Sequence, residues 1–366
     1  MRGTRIEIRP GALRHNARRA RTLADGGEVF AMIKADGYGH GLTLAADALA
    51  GEVDGFGVAV LEEARALREH GISEPILVAE GFFDRAELEQ ARALSLEMVV
   101  HSPWQVALLR DDPGPLRLWL KLNTGMNRLG LRPDSALQAA EQLAAAGMNP
   151  VGVMSHFACA DEADDGRTDT QMALAAEVAN SLGVPLSAAN SAALIRYPHT
   201  RAQRVRPGIM LYGSSPFDWQ SAAQLNLAVS HRFSARLIAI NEIQPGDTVG
   251  YGATWTAARP GRIGVVAAGY GDGYPRHAPS GTPAAVNGQP TVLVGRVSMD
   301  MLTIDLHGIE ADIGDEVELW GDFVDVDQVA RACGTISYEL FCQITGRPER
   351  IIVGVGRQTS DVRPKD

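Results

Sequence analysis

The residues that could do chemistry begin with a lysine at the end of a short apolar stretch. Segment 31–41 reads Ala-Met-Ile-Lys-Ala-Asp-Gly-Tyr-Gly-His-Gly, so Lys34 directly follows apolar residues. A lysine that leaves a buried strand is partly desolvated, which favours the neutral amine and therefore Schiff-base chemistry. The three glycines that follow let the backbone approach a ligand closely. The alternative is an ordinary strand-end lysine ahead of a glycine-rich turn.

Lysine is scarce in this chain, which makes the position of each one informative. Of the 34 basic residues only Lys34, Lys121 and Lys365 are lysines. Lys365 lies in a polar tail, whereas Lys34 and Lys121 each follow an apolar run, where a solvated lysine is least expected. Lys34 and Lys121 are therefore candidates for chemistry, with chance retention as the alternative.

Short apolar runs alternate with Ala- and Leu-rich segments of helical period between about residues 28 and 213. Continuous apolar strands separated by helices indicate a parallel sheet covered on both faces. Eight such runs predict a (β/α)₈ TIM-like barrel, with an open doubly wound sheet as the alternative. In a barrel, the catalytic groups lie on the loops after the C-terminal ends of the strands. The eight runs are 29–33, 55–60, 76–79, 96–100, 116–122, 151–155, 184–188 and 208–212.

After about residue 225 the pattern changes to strands with alternating polarity. Turn dipeptides such as Pro245-Gly246 and Asn287-Gly288 separate them, and helices are few. This pattern predicts a C-terminal, mainly antiparallel β domain. We therefore expect an α/β protein with a barrel over 1–225 and a β domain over 226–366, to which the first residues of the chain can add a strand. The predicted strands are 236–241, 262–266, 291–294 and 315–320.

The overall composition limits the possible partners and compartments. The formal net charge is −10 and there is no basic block, so we expect neither a nucleic acid nor an anionic membrane surface as partner. No apolar run reaches the ~18 residues that span a bilayer. Because the first residues lack the apolar core of a signal peptide, we expect a cytoplasmic protein. Cys159, Cys333 and Cys342 show no CxxC spacing, so neither a disulfide framework nor a metal site is indicated.

Eight further stretches follow segment 31–41 in a fixed order, and together they cover nearly the whole chain. In this order they resemble the alanine racemase family, whose members share a barrel with certain amino-acid decarboxylases. The resemblance implies an isomerase, a pyridoxal phosphate-dependent racemase that interconverts L- and D-alanine. The stretches are 121–130 (KLNTGMNRLG), 154–158 (MSHFA), 189–193 (ANSAA), 205–213 (VRPGIMLYG), 249–255 (VGYGATW), 269–276 (GYGDGYPR), 295–301 (GRVSMDM) and 338–340 (YEL).

Racemisation needs an acid or base on both faces of the substrate, because the α-proton leaves one side and returns on the other. The resemblance implies that Lys34 holds the cofactor and serves one face, while Tyr251 from the other subunit of a homodimer serves the opposite face. A free phenol has a pKa near ~10, so Tyr251 needs help from nearby charge or hydrogen bonds. His156 and Arg206 are the family's candidates for that help. Without the resemblance, a packed tyrosine in a glycine-rich turn is the simpler interpretation of Tyr251.

The resemblance also places Arg206 at the pyridine nitrogen of the cofactor. An arginine is always protonated, so it donates to an unprotonated ring nitrogen and cannot neutralise a pyridinium. The ring is then a weaker electron sink than in enzymes with a carboxylate there, which limits side reactions such as transamination. The alternative is an arginine salt-bridged near a Pro-Gly turn.

Binding of the cofactor's phosphate is implied for a second group of residues. Backbone donors after a strand and before a helix suit a phosphate. Asn190 and Ser191 could instead be only a helix cap. The phosphate group comprises the hydroxyls of Ser191, Tyr38 and Tyr338 and the backbone N–H groups of Gly208 and Ile209, with Asn190 beside them.

The resemblance assigns Arg128 to the substrate carboxylate, together with the backbone N–H of Met299 from the partner subunit. The family often carries a carbamate on the lysine that matches Lys121. Such a carbamate would orient Arg128, whereas an unmodified lysine would repel it. In isolation, Arg128 reads as a surface arginine and Met299 as a packing residue. Three further residues resemble those at the family's narrow entrance, and they are Tyr270, Arg296 and Asp161.

Three other functions remain as alternatives. A decarboxylase of the same barrel class would carry Glu-Pro-Gly-Arg and Cys-Glu-Ser stretches, and the chain has neither. A non-catalytic pyridoxal phosphate-binding protein is typically a barrel alone, without the β domain and Tyr251. A broad-specificity racemase of the same fold would be separated by a panel of substrates. The sequence leaves open whether D-alanine biosynthesis for peptidoglycan precursors or alanine breakdown is the physiological role.

Overall fold

The computed structural model describes residues 2–162 and 166–354, and Lys365 lies outside these ranges. The chain divides into two compact units. The barrel unit comprises Leu13–Val229 and Gly334–Ile344, and the β unit comprises Met1–Ala12, Ser230–Cys333 and the chain from Thr345 onward. The chain begins with strand β1 (Arg5–Ile8) and helix α1 (Pro10–Ala24).

The barrel unit contains a closed barrel of eight parallel strands, which confirms the predicted TIM-like barrel. Its strands are β2 (Glu28–Met32), β3 (Gly55–Val58), β4 (Ile76–Val78), β5 (Glu97–Val100), β6 (Arg117–Lys121), β7 (Gly152–Met154), β8 (Leu186–Ser187) and β9 (Arg204–Val205). The helices between them are α2 (Lys34–Tyr38), α3 (Leu42–Leu49), α4 (Leu61–His70), α5 (Arg85–Ala93), α6 (Pro103–Asp111), α7 (Pro133–Ala145), α8 (Arg167–Leu182) and α9 (Ser191–Arg196). Phe30, Val99 and Trp119 are among the residues of a core cluster formed by the strands.

One predicted barrel strand is wrong. The apolar run 208–212 is not the eighth strand, because Ile209–Tyr212 forms a buried 3₁₀ turn and the strand lies earlier, at β9. An apolar run reports burial and does not by itself distinguish a strand from a buried turn. The true strand begins with Arg204, whose charge breaks the apolar pattern although the side chain is only 4% exposed.

A cluster of ion pairs joins the N-terminal ends of four barrel strands. Glu28, Glu97, Arg117 and Arg204 are the first residues of β2, β5, β6 and β9. Arg204 donates one hydrogen bond to Glu97 and another, of 2.8 Å, to Glu28. Arg117 donates to Glu97 at 2.8 Å. Burial alone would raise the pKa of Glu97, but the hydrogen bonds and charges of Arg204 and Arg117 outweigh burial and lower it. Glu97 is therefore a buried carboxylate that depends on its cations.

We predict that Arg204→Met lowers the free energy of unfolding by about 3 kcal/mol, because it leaves Glu97 buried without its main partner. Arg117→Met is the control, and since Arg117 is 60% exposed it should cost only about 0–1 kcal/mol. Urea unfolding measures both. The pKa of folded Glu97 is depressed, so its contribution is present above the unfolded pKa of about 4.3 and is lost as the pH falls. The difference between wild type and Arg204→Met should therefore shrink in acid, and equal losses for the two variants would contradict this account.

The β unit is a mainly antiparallel sheet, as predicted for the C-terminal part of the chain. Its strand order is β15-β14-β17-β10-β1-β18, with β13 also on β10 and β16 on β13. Strand β1 pairs antiparallel with β10 and parallel with β18, so the first residues of the chain complete this sheet. The strands are β10 (His231–Ile243), β11 (Thr248–Val249), β12 (Trp255–Thr256), β13 (Gly261–Val266), β14 (Pro283–Val286), β15 (Gln289–Val292), β16 (Leu302–Asp305), β17 (Glu316–Trp320) and β18 (Glu349–Ile352), and helix α10 (Val326–Ala332) belongs to the same unit.

Helix α11 (Ser337–Cys342) belongs to the barrel unit, although the segments on either side of 334–344 belong to the β unit. It packs against the turn that follows β2. A Cβ added at Gly39 would collide with the carbonyl oxygen of Phe341, and the rings of His40 and Phe341 meet edge to face at 5.3 Å. A segment of the barrel unit therefore comes later in the sequence than most of the β unit. No helix within the described ranges has both the length and the apolar character needed to cross a bilayer.

Candidate active site

A cavity of about 530 Å³ lies where the barrel strands end. Lys121 is the last residue of β6, Arg206 follows β9 directly, and His156 lies two residues after β7. All the described residues that line the cavity belong to the barrel unit. The structure therefore brings together, at the expected face of the barrel, many of the residues that the sequence singled out. They are Lys34, Tyr38, Lys121, Arg128, His156, Asn190, Ser191, Arg206, Gly208, Ile209 and Tyr338.

The turn that begins at Lys34 is left-handed. Ala35, Asp36, Gly37 and Tyr38 have φ values of 53°, 55°, 60° and 51°. Each residue with a Cβ costs about 1–2 kcal/mol in this conformation, so three of the four positions are strained. Strain of this kind persists only where surrounding contacts hold it, and it is common at functional sites. The half-buried Lys34 is therefore presented to the cavity by a turn under constraint.

Arg206 is held by oxygen acceptors at the ends of two barrel strands. Its Nη2 donates to the carbonyl of Ser155 at 2.6 Å, and its Nη1 donates to the hydroxyl of Ser187. Burial, aided by the positive charge of Arg204, lowers the pKa of Arg206 to about 10. Arg206 therefore remains a cation at neutral pH, and its side chain is only 5% exposed. A fixed buried cation can donate hydrogen bonds to a ligand but cannot accept its proton.

Buried hydrogen bonds join the loops that carry the remaining cations. The Nε2 of Gln171 donates to Thr124 Oγ1 at 3.2 Å and to the carbonyl of His156 at 3.1 Å. The hydroxyls of Thr124 and Ser155 are 2.7 Å apart. Because Ser155 also accepts from Arg206, the loops after β6, β7 and β9 are linked. Such a network fixes the positions of cavity residues relative to one another.

The electrostatics of the cavity are dominated by positive charge. Burial, with the charges of Arg206 and Arg128, lowers the pKa of His156 to about 3, so this imidazole is neutral at physiological pH. The same three causes lower the pKa of Lys121 to about 8, while Glu80 opposes them. Lys121 is 8% exposed, so its amine is buried among cations. Such a cavity attracts anionic ligands, including phosphates and carboxylates.

One wall of the cavity, called the cradle below, is formed by Ser191 and the backbone at Gly208 and Ile209. Ser191 Oγ accepts hydrogen bonds from the backbone N–H groups of Gly208 at 2.9 Å and Met210 at 3.3 Å. A Cβ added at Gly208 would collide with the hydroxyl of Tyr38, so this close approach requires glycine. Asn190 caps α9 by accepting from the N–H of Ala193 at 2.9 Å, as the helix-cap interpretation requires, and it also lines the cavity. Asn190 therefore caps the helix and lines the cavity at the same time.

Tyrosine side chains close the same wall. Tyr38 stacks on Tyr212 with ring centroids 4.5 Å apart, and the ring of Tyr338 lies 5.9 Å from that of Tyr38. Burial raises the pKa of Tyr38 well above its ordinary value. The Tyr38 hydroxyl therefore keeps its proton and is able to donate a hydrogen bond to a ligand. The cavity therefore combines hydroxyl and backbone donors with the amine of Lys34 and the fixed guanidinium of Arg206. This set of groups fits pyridoxal phosphate.

Five predicted site residues do not line the cavity. Tyr251, Tyr270, Arg296 and Met299 belong to the β unit, and Asp161 belongs to the barrel unit. All five are exposed, with Tyr251 at 69% and Met299 at 52%. Tyr251 lies in a short turn after Gly250.

Several residues that line the cavity were not predicted from the sequence. The most informative is Glu80, a half-buried carboxylate two residues after β4 and the only acidic side chain that the described residues contribute to the lining. The rule that polar residues after apolar runs face the site could have found it. Cys342, at the end of α11, carried no such signal. Among the described residues, no group of three or more His, Cys, Asp or Glu side chains is arranged to hold a metal ion.

Comparisons with known proteins cover both units. A family model described as "Alanine racemase, N-terminal domain" matches residues 8–216, and one described as "Alanine racemase, C-terminal domain" matches residues 230–352. An alanine racemase of Alcanivorax borkumensis is 71% identical over 353 residues, covering 96% of this chain and 100% of that protein. One of Laribacter hongkongensis is 53% identical, with coverage of 94% and 96%. The crystal structure of the biosynthetic alanine racemase from Pseudomonas aeruginosa matches with a TM-score of 0.94 at 43% identity, with coverage of 97% and 100%.

Proposed function

The chain belongs to the alanine racemase family and is an amino-acid racemase, and we propose that its barrel cavity binds pyridoxal phosphate and interconverts L- and D-alanine. The observation that carries this proposal is the Lys34 amine in a cationic cavity, with Arg206 and the Ser191–Gly208 cradle in the same lining. Pyridoxal phosphate carries a group for each of them. Its aldehyde can react with the Lys34 amine, its ring nitrogen can accept a hydrogen bond from Arg206, and its phosphate can bind at the cradle.

Pyridoxal phosphate, when bound, supplies an aldehyde for covalent attachment and a ring that withdraws electrons from the α-carbon of the amino acid. The residues of the chain do the rest. Lys34 holds the cofactor and moves a proton on one face of the substrate. Tyr251 moves a proton on the other face. Arg206 stays protonated, because even its lowered pKa of about 10 lies above neutral pH, and it therefore keeps a hydrogen-bond donor at the ring nitrogen.

A second copy of the chain completes the site in this proposal. The cavity lining comes from the barrel unit, whereas Tyr251 and Met299 lie exposed in the β unit. In a homodimer the partner would supply the Tyr251 hydroxyl and the Met299 backbone N–H. Tyr270, Arg296 and Asp161, all exposed, would line the entrance. A narrow entrance favours a methyl side chain over a larger one.

Arg128 would bind the substrate carboxylate, and Lys121 would orient it. The positive charges of Arg206 and Arg128 and the burial of Lys121 favour loss of the Lys121 proton. A neutral amine is the form that adds carbon dioxide to become a carbamate. The resulting anion would pair with Arg128 in place of the repulsion that a charged lysine produces.

We predict that isotope-labelled bicarbonate labels Lys121 increasingly as the pH rises through about 8, the value to which its pKa is lowered. Lys365, in a polar tail, serves as the internal control, because an ordinary lysine has a pKa near ~10.4 and stays protonated in this range. Lys121→Met should remove the label and lower kcat/KM for alanine about tenfold through loss of Arg128 orientation. Absence of label at every pH, with full activity, would exclude the carbamate.

The proposed function is tested by a chiral assay that starts from pure L-alanine with added pyridoxal phosphate. We expect conversion to an equal mixture of L- and D-alanine, and the D-alanine formed would serve as a peptidoglycan precursor. A panel of larger amino acids tests the alternative of a broad-specificity racemase. A protein that binds the cofactor but leaves L-alanine unchanged would be a binding protein, and the proposal would be wrong.

A further inference from the structure

One carboxylate joins the two loops that follow β2 and β3. Glu63, in the first turn of α4, accepts hydrogen bonds from the backbone N–H of Ala35 at 2.6 Å and from that of Ala59 at 2.8 Å. Oε1 takes the first bond and Oε2 the second, so both oxygens are used. Ala35 is the residue directly after Lys34, and both alanines line the cavity. Glu63 does not line the cavity, so it acts on the site only through the backbone of the two loops.

The N–H that Glu63 binds lies at the start of the strained turn. The later part of the turn has other supports, since Asp36 Oδ1 accepts from Leu42 N–H at 2.8 Å and Tyr38 stacks on Tyr212. At the Lys34 end, the side-chain support is Glu63. Loss of this bond would let the peptide between Lys34 and Ala35 rotate. The direction in which the Lys34 side chain leaves the backbone depends on that peptide.

Helix capping does not account for this arrangement. A glutamate three residues into a helix usually accepts from the N–H of the residue that precedes the helix. Here α4 begins at Leu61 after Val60, and the carboxylate reaches past Val60 to Ala59 and across to Ala35. Both bonds therefore tie the helix to loops that face the cavity.

We propose that Glu63 is a positioning residue that fixes the direction of the Lys34 amine. This inference rests on the proposed function, in which Lys34 forms the covalent link to pyridoxal phosphate. A carboxylate satisfies both N–H donors, whereas a glutamine has one acceptor oxygen and turns an NH₂ group toward the other donor. Glu63→Gln therefore removes one bond at nearly constant volume. Covalent attachment should then weaken, while binding of the phosphate and ring should not.

The test compares two ligands on the full chain stripped of cofactor. Pyridoxal phosphate can form the covalent link, whereas pyridoxine 5′-phosphate lacks the aldehyde and binds only by contacts. We expect Glu63→Gln to weaken pyridoxal phosphate about tenfold or more and to leave pyridoxine 5′-phosphate within about twofold of wild type. Glu62→Gln is the matched control, because Glu62 is the exposed neighbour on the same helical turn and should change neither affinity. Racemisation by the loaded Glu63→Gln enzyme should fall in kcat with little change in KM.

Glu63→Asp provides a second variant, because it keeps both acceptor oxygens one methylene further back and should recover part of the affinity for pyridoxal phosphate. If Glu63→Gln does not fold, the same affinity ratio is measured on Glu63→Asp. Equal losses for both ligands would make Glu63 a general support of the cavity and overturn the inference, as would no loss for either. A wild-type chain that prefers neither ligand and is not fixed to cofactor by borohydride would instead refute the proposed function itself.

Discussion

Replacing Lys34 with alanine is expected to lower racemisation by about 10³-fold or more, because in the proposed function this one side chain both attaches the cofactor and moves a proton. The variant should still fold and still bind pyridoxine 5′-phosphate, since the cradle of Ser191 and Gly208 and the cation Arg206 remain. Steady-state rates in both directions, from L-alanine and from D-alanine, measure the effect. Both directions should fall together, because attachment is needed for either.

The scarcity of lysine makes the chemical control unambiguous. Borohydride should fix the cofactor to the wild-type chain on Lys34 and leave the Lys34→Ala variant unlabelled. Only two other lysines, Lys121 and Lys365, could take the label. Peptide mapping that found the cofactor on Lys121 would reverse the assignment of Lys34 and Lys121 and with it the proposed chemistry.

Tyr251→Phe is expected to lower racemisation by about 10²–10⁴-fold while the cofactor content stays at the wild-type level. The substitution removes one hydroxyl and keeps the ring, so packing is nearly unchanged. In the proposed mechanism Tyr251 removes the α-proton of L-alanine and Lys34 that of D-alanine. Exchange of the α-proton of L-alanine with deuterated solvent should therefore nearly stop in this variant, whereas exchange from D-alanine should continue and acts as the internal control. Equal exchange from both enantiomers would remove Tyr251 from the mechanism.

The shared site can be tested with the same two variants. In a dimer formed from one Lys34→Ala chain and one Tyr251→Phe chain, one of the two sites has both groups. Random reassembly of equal amounts makes half of the dimers mixed, so about one quarter of wild-type activity should return. A verified mixed dimer without activity would show that Lys34 and Tyr251 do not meet across a subunit interface.

Much of the barrel could be predicted because its strands are buried on both faces and read as apolar runs. The prediction was wrong where burial and charge coincide. Arg204 is buried because Glu97 and Glu28 compensate it, and a charged residue hides a strand from an analysis of hydrophobic pattern. Conversely, Ile209–Tyr212 is apolar because it is a buried turn. The hydrophobic pattern of a segment indicates whether the segment is buried, but it does not show which residues its backbone pairs with.

The cavity residues that could be predicted are those that stand in the sequence stretches resembling the family. Lys34, His156 and Arg206 stand in such stretches, and each follows a barrel strand. Glu63 stands in an ordinary amphipathic helix, and its contacts with Ala35 and Ala59 depend on how neighbouring βα units pack. The left-handed turn was equally hidden, because glycine is the residue expected at positive φ and Ala35 is not glycine.

The return of segment 334–344 to the barrel unit has a consequence for dissecting the protein. A gene shortened after codon 229 would encode every barrel strand but would omit α11, and with it Tyr338 and the Phe341 backbone that packs on Gly39. The turn bearing Lys34 would then lose a neighbour that comes from more than 290 positions further along the chain. Such a fragment should aggregate or bind cofactor poorly, whereas co-expressing it with the remaining residues should restore a soluble complex. The stretch between the two family models, residues 217–229, is therefore not a place where the polypeptide can be cut.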